Sequence, residues 1–358
     1  MTATKKVVLL HQREILHYRV AIYNRLSVHL RQHGWSLTVL AQGVQQDSPH
    51  CVQFELRTVP AATTQLLRAI RDEHPQAVIL FVNAREPYLF PVLFALKWRH
   101  IPAIYWGHGL DLEDKGSRIK RMVYGLEHQL CDALLLYAED LRRYIAPGMQ
   151  RKTFIARNTI DTSLLRSSGL QSEVVLAKYG IDTRRNIICV GRLQRRKRIG
   201  DLVAAFERIP GNDCGLILVG EDADGCVSDV RHPRIHKLGP LFGDQVTALL
   251  EAADVYCMPG HVGLGIVDAL YYGLPFVTED VDHAPEIMYL KDGVNGCIVP
   301  AGDIGALSAK LHELLTDDFM RVQFSIAARR TIEQEASLEL MFTGFIEALS
   351  YVTRDSPQ

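Results

Sequence analysis

The chain has 358 residues, of which 47% are hydrophobic and 23% charged, with a formal net charge of -1 at pH 7. It is long enough for two domains with their own cores, too apolar for a disordered chain, and too neutral for bulk nucleic-acid binding, which needs a basic excess. Seven scattered cysteines with no C-x-x-C spacing argue against a disulfide framework or a zinc site, and for a reducing compartment. Lys5 and Lys6 lead only into a four-residue apolar run before His11, too short for the core of a signal peptide. The most apolar stretch, 77–98, is interrupted by Arg85, Glu86 and Pro87, which excludes a membrane span. The expectation is a cytoplasmic protein that can touch the inner face of the cell membrane.

In chain order, short β-branched runs predict strands at 6–11, 36–41, 52–59, 77–82, 103–108, 132–137 and 153–156. Helical patterns fall between them at 19–33, 63–73, 87–99 and 117–130. The rhythm restarts after a polar stretch near 161–173. Strands are predicted at 186–190, 215–219, 234–238, 254–258, 275–278 and 297–299, and helices at 199–208, 244–253, 265–272, 284–290 and 303–315. A last helix is predicted at 337–352. Such alternation predicts an α/β protein with two doubly wound, Rossmann-like parallel sheets. The expected division is a first domain at 1–168, a second at 169–333, and a terminal helix at 334–358 packing back on the first domain.

Open parallel sheets bind ligands at the carboxyl ends of their strands, so the loops there carry the candidates. Gly191 ends a strand and opens the basic loop Arg192 to Arg198, ahead of a helix. Cations there suit a diphosphate, although a solvated basic loop has the same composition. Pro259 to Gly265 brings three glycines in six residues after the strand at 254–258, which lets backbone amides approach a ligand. Asp268 follows in the first helical turn, where its carboxylate can accept from ribose hydroxyls or simply cap the helix. His108, between Gly107 and Gly109, ends a strand of the first half, as a turn histidine or a site residue. Tyr18, Arg19, Arg25 and Arg31, and again Lys115, Arg118, Lys120 and Arg121 before Met122-Val123-Tyr124, mix cations with apolar residues. They can meet anionic headgroups or form ordinary solvated faces.

Gly191-Arg192-Leu193 with Lys197 resembles the G-R-L-x-x-x-K signature of family 4 glycosyltransferases, which have the GT-B fold. Asn158-Thr159-Ile160-Asp161 resembles that family's N-G-V-D segment, and Gly220-Glu221-Asp222 its G-x-G turn. Gly263 to Gly273 with Pro275 is similar to its G-L-x-x-x-E-A-x-x-x-G-x-P stretch, and Asp292 to Gly296 to its D-G-x-N-G turn. The resemblance covers nearly all of the C-terminal half and is looser before it. It implies two Rossmann-like domains facing a central cleft, and a retaining transfer of a hexosyl unit from a nucleoside diphosphate sugar, UDP slightly favoured over GDP. The acceptor it implies is a glycan or a lipid-linked molecule, as in surface-polysaccharide assembly, with no cofactor and no metal. Gly191, Arg192 and Lys197 would hold the diphosphate. The amides of Val262, Gly263 and Leu264 would contact the phosphate and sugar, and Asp268 the ribose. The backbone of Lys237, Leu238 and Gly239 would meet the base, and His108 would approach the donor sugar from the acceptor side. The family's E-x7-E pair would put acids at 260 and 268, where this chain has Gly260 and Asp268. The usual Gly-Gly of the first loop is Gln12-Arg13-Glu14. These departures keep two alternatives open, an inactive nucleotide-sugar-binding protein and a nucleotide-sugar epimerase of the same fold.

Overall fold

The computed structural model describes residues 4–46, 50–112, 114 and 116–354. Lys115 and residues 355–358 of the expected terminal segment lie outside them. The chain divides into two compact units, Met1–Asp161 with Leu338–Gln358, and Thr162–Ser337.

The first unit runs β1 (Lys5–His11), β2 (Glu14–Ile15), α1 (His17–Gln32), β3 (Trp35–Ala41), β4 (Gly43–Val44), β5 (Glu55–Thr58), α2 (Thr63–Glu73), β6 (Ala77–Phe81), α3 (Leu89–Trp98), β7 (Ala103–Gly107), α4 (Arg118–Leu130), β8 (Ala133–Leu136) and β9 (Thr153–Ile155). Seven strands form a sheet in the order β5-β3-β1-β6-β7-β8-β9, parallel throughout. Val7 to Leu10 are at most 1% exposed, as expected of a run covered on both faces by crossover helices. β2 and β4 make a separate two-stranded pair.

The second unit comprises α5 (Ser172–Lys178), β10 (Arg185–Val190), α6 (Ile199–Glu207), β11 (Cys214–Val219), β12 (Ile235–Gly239), α7 (Asp244–Ala252), β13 (Val255–Cys257), α8 (Gly265–Tyr271), β14 (Phe276–Glu279), β15 (Gly296–Val299), α9 (Ile304–Thr316) and α10 (Asp318–Glu335). Its parallel sheet has the order β12-β11-β10-β13-β14-β15. Counted within the unit this is 3-2-1-4-5-6, the dinucleotide-fold order, and its winding reverses between β10 and β13.

α11 (Leu338–Arg354) returns to the first unit. Phe345 meets Trp106 edge-on at 4.9 Å, and Tyr351 meets Phe154 at 5.4 Å. Gly344 permits this packing, because a Cβ there would lie 2.1 Å from the carbonyl oxygen of Ile155.

The expected element order changes in four places, one of them the unpredicted pair β2 and β4. Residues 284–290 do not form an α-helix. Pro285–Tyr289 is a single 3-10 segment, cut short because the chain turns again at Lys291–Asn295. The polar stretch taken as the domain boundary continues into the short α5, and α10 occupies residues with no predicted helix.

Candidate functional site

In the second unit the loops after β10 and β13 enclose a cavity of about 320 Å³, lined among others by Gly191, Arg196, Lys197, His261, Gly263 and Asp268. It lies at the winding reversal of the sheet, where such folds bind ligands. Tyr256, stacked on Phe276 at 4.9 Å, belongs to its apolar wall, and the Tyr256 hydroxyl donates to the Val190 carbonyl at 2.9 Å.

The basic loop is shaped by close backbone approach. Gly220 has φ +140°, and a Cβ there would lie 2.3 Å from the Gly191 carbonyl oxygen. Only glycine lets the ends of β10 and β11 meet this closely. The Leu193 amide then donates to the Glu221 carbonyl (2.8 Å) and the Arg195 amide to Asp224 (2.9 Å). Arg195–Lys197 forms one 3-10 turn and Arg198 follows at φ 55°. Arg198 pairs with the fully buried Glu279 at 2.9 Å, which ties the loop to the end of β14.

Lys197 rests against bare backbone, since a Cβ on Gly191 would lie 2.7 Å from its Nζ. Among the described residues it has no carboxylate partner. Burial holds its ammonium below the usual lysine range; Cys189, the next largest influence, opposes this, and the charges of Arg196 and Arg192 add to it. A half-buried, unpaired cation of this kind favours an anionic ligand.

The glycine turn packs on this loop. Gly260 and His261 donate backbone hydrogen bonds to the carbonyls of Lys197 and Arg196, each 2.9 Å. A Cβ at Gly260 would lie 2.3 Å from the Arg196 carbonyl oxygen and 2.5 Å from the Lys197 carbonyl carbon. Gly260, at the first position of the E-x7-E resemblance, is therefore a packing requirement of this loop pair. Gly263 faces open space, and the amides of Gly263 and Leu264 have no acceptor among the described residues. Asp268 lines the same cavity, and burial pushes its carboxyl up to about 7.

The structure thus gathers Gly191, Lys197, Val262, Gly263, Leu264 and Asp268 around one cavity. Arg192 does not line it, whereas Arg196, in the 3-10 turn, does, and both arginines are exposed. Lys237, Leu238 and Gly239 end the edge strand β12, two strands away from β10. The Lys237 ammonium is held by the carbonyls of Val227 (3.0 Å) and Val230 (3.1 Å), and the Gly239 carbonyl accepts from Gly220 at 2.7 Å. Asn295, fully buried, donates to Tyr289 O and Thr331 Oγ1, so the D-G-x-N-G turn is structural here. Arg196, His261, Tyr256, Met258 and Phe276 line the cavity without having been named as site residues, and only Arg196, in the basic run, and His261, in the glycine turn, carried a sequence signal.

His108 belongs to the first unit. It follows β7 and meets the Tyr137 ring edge-on at 4.6 Å. Its two glycines are required locally. A Cβ on Gly107 would lie 2.6 Å from the Tyr105 hydroxyl, and Gly109, at φ +75°, donates to that hydroxyl at 2.8 Å. Beyond β7 and β8 the same unit has a cavity of about 380 Å³ whose lining includes Asp111, Lys120, Tyr124, His128 and Arg143.

Of the expected cationic face of α1, Arg25 and Arg31 are exposed but Arg19 is not. Arg19 is 3% exposed, stacked among Phe81, Trp106 and Tyr137, and donates to the Tyr137 hydroxyl at 3.0 Å. Arg25 points to Asp161 at 3.8 Å. On α4, by contrast, Ile119 (75%), Met122 (75%) and Leu126 (43%) are exposed, next to Arg118 and Arg121. No helix among the described residues is long and apolar enough to cross a membrane.

Residues 184–317 match the family model for glycosyl transferases group 1. The chain is 28% identical over 167 residues to phosphatidyl-myo-inositol mannosyltransferase of Mycobacterium leprae, 42% of either chain. It is 30% identical over 216 residues to the GDP-mannose-dependent monoacylated alpha-(1-6)-phosphatidylinositol monomannoside mannosyltransferase of Corynebacterium glutamicum, 55% of this chain and 53% of that one. The chain thus spans about half the length of the curated relatives it matches. The structure of Anabaena Alr3699/HepE in complex with UDP-glucose superposes with a TM-score of 0.77 at 16% identity, over 96% of this chain and 99% of that one, which establishes the GT-B fold. The residues that enclose the cavity, from Val190 to Phe276, all fall in the matched stretch, and residues 184–317 are a glycosyl transferases group 1 domain.

Proposed function

We propose that the chain is a retaining glycosyltransferase that moves a hexosyl unit from a nucleoside diphosphate sugar to a glycan or lipid-linked acceptor. The observation that carries this reading is the unpaired Lys197 ammonium sharing a cavity with the unengaged amides of Gly263 and Leu264. Fixed donors out of bulk water stabilise the charge that grows on a leaving diphosphate without reorganising. The acceptor hydroxyl attacks the anomeric carbon on the face the diphosphate leaves, the anomeric C–O bond breaks, and the hydroxyl proton passes to a leaving phosphate oxygen. No side-chain base is needed for that proton. Asp268 would accept from the ribose hydroxyls, the nucleoside would extend over β10 and β11 toward Gly239, and His108 would orient the sugar. The first-unit cavity near Lys120 and Arg143 is the candidate for the acceptor. The exposed apolar residues of α4, flanked by cations, suit contact with an anionic membrane surface.

The Corynebacterium glutamicum relative is named for GDP-mannose and the Anabaena structure holds UDP-glucose, so both bases belong in the test. Each nucleotide sugar is screened by thermal shift, and the stabilising one is incubated with extracted glycolipid acceptors. Release of nucleoside diphosphate that depends on the acceptor is the expected result. Binding with no release identifies a binder, and an altered sugar with no acceptor present identifies an epimerase; either result contradicts the proposal.

A further inference from the structure

The glycine turn has a support that donor binding alone does not explain. The segment after β14 runs back beside it, and Ala284 donates its amide to the Val262 carbonyl at 3.0 Å. In the opposite direction the Val262 amide donates to Nδ1 of His283 at 3.2 Å. An amide N–H only donates, so Nδ1 carries the lone pair. The other ring nitrogen, Nε2, lies 2.9 Å from the Glu279 carbonyl oxygen, which only accepts. Both contacts are satisfied by one form of the ring, the neutral tautomer with its proton on Nε2. A second proton would set an N–H against the Val262 N–H, donor facing donor.

We propose that His283 is a positioning residue for the donor site: its neutral Nε2–H form clamps Val262 and thereby aims the Gly263 and Leu264 amides, and its protonation releases the turn and weakens diphosphate binding. The ligand in this statement rests on the donor reading above; the clamp does not. The groups around the ring are His261, whose charge opposes protonation, and Asp280 and Asp282, whose charges favour it. The Glu279 carboxylate faces away, toward Arg198 at 2.9 Å and the Gly302 amide at 2.8 Å. Burial is the largest influence and holds the imidazole below the usual histidine range, so the clamp is closed at neutral pH and opens on the acid side.

The test compares wild type with His283→Phe, which fills the space without an acceptor, and His283→Asn, which offers a carbonyl oxygen that does not titrate. Two quantities are read from about pH 5 to about pH 8, across the usual histidine range. One is amide hydrogen exchange at Val262 in the nucleotide-free protein, corrected for the intrinsic rate. The other is the affinity for UDP and for GDP by calorimetry. His283→Phe is expected to speed Val262 exchange and to weaken nucleotide binding by roughly tenfold each, the scale of one lost hydrogen bond. Wild type should approach that behaviour only at the acid end, and His283→Asn should stay near neutral wild type throughout. Equal exchange in wild type and His283→Phe at neutral pH, or an acid loss of affinity that persists in His283→Asn, overturns the clamp. A wild-type protein that binds neither nucleotide while exchange still separates the variants overturns the donor reading instead, and with it the diphosphate half of this proposal.

Discussion

Gly260 and Gly263 stand three residues apart and answer to different constraints. The first is pressed against the Arg196 and Lys197 backbone, whereas the second borders empty space. Gly260→Ala should therefore destabilise the protein by roughly 1–3 kcal/mol through overpacking against backbone, seen as a lower melting temperature together with lost activity. Gly263→Val should melt with wild type yet fail to bind nucleotide, because its side chain enters the cavity. Equal melting temperatures for both variants would contradict the assignment. Asp268 gives a pH test. Its folded carboxyl titrates near 7 because of burial, above its ordinary value of 3.8. The folded state therefore holds a proton that the unfolded state releases between those two values, and stability falls as pH rises through that window to a lower plateau above it. Asp268→Asn removes the cost. The variant should melt above wild type at about pH 8, with the gap closing toward about pH 4, and it should bind nucleotide more weakly. A gap independent of pH would contradict a buried, unpartnered carboxyl.

At the scale of elements, α4 carries the membrane proposal. Its exposed Ile119 and Met122 are one turn apart beside Arg118 and Arg121. Replacing both apolar residues by aspartate should abolish co-flotation with anionic liposomes at low salt while leaving the melting temperature unchanged; wild-type protein that stays with the soluble fraction would end the idea. The sequence makes α4 legible as a helix, and not α10. Phe319, Val322 and Ile326 are exposed on α10 while Phe324 is buried, so its apolar residues do not mark one inner face. β2 and β4, two residues each, are too short to leave an alternating pattern. The burial of Arg19 is invisible for another reason. Its ring partners Phe81, Trp106 and Tyr137 lie far apart along the chain and meet only once the sheet is assembled.

At the scale of the whole molecule, both sheets are wound outward from their first strand, β1 lying between β3 and β6 and β10 between β11 and β13, and the cavity sits where the second sheet reverses. That much follows from the alternation of apolar runs and amphipathic stretches, because parallel strands need crossover helices. The glycine and lysine motifs were legible because each is a contiguous loop. The choice of Arg196 over Arg192 was not, since both belong to one basic run and only the folded loop decides which of them lines the cavity. Neither was His283, which reaches Val262 across 21 positions of sequence. The central claim is that nucleotide binding belongs to Lys197 and its cavity in the second unit, while His108, in the first unit, serves a later step. Calorimetric titration of wild type, Lys197→Ala and His108→Ala with UDP and with GDP tests it most directly. The account predicts one nucleotide that binds wild type and His108→Ala alike, and a loss of roughly tenfold or more in Lys197→Ala from the missing charge-assisted contact. Equal losses in the two variants, or full affinity in Lys197→Ala, would contradict it.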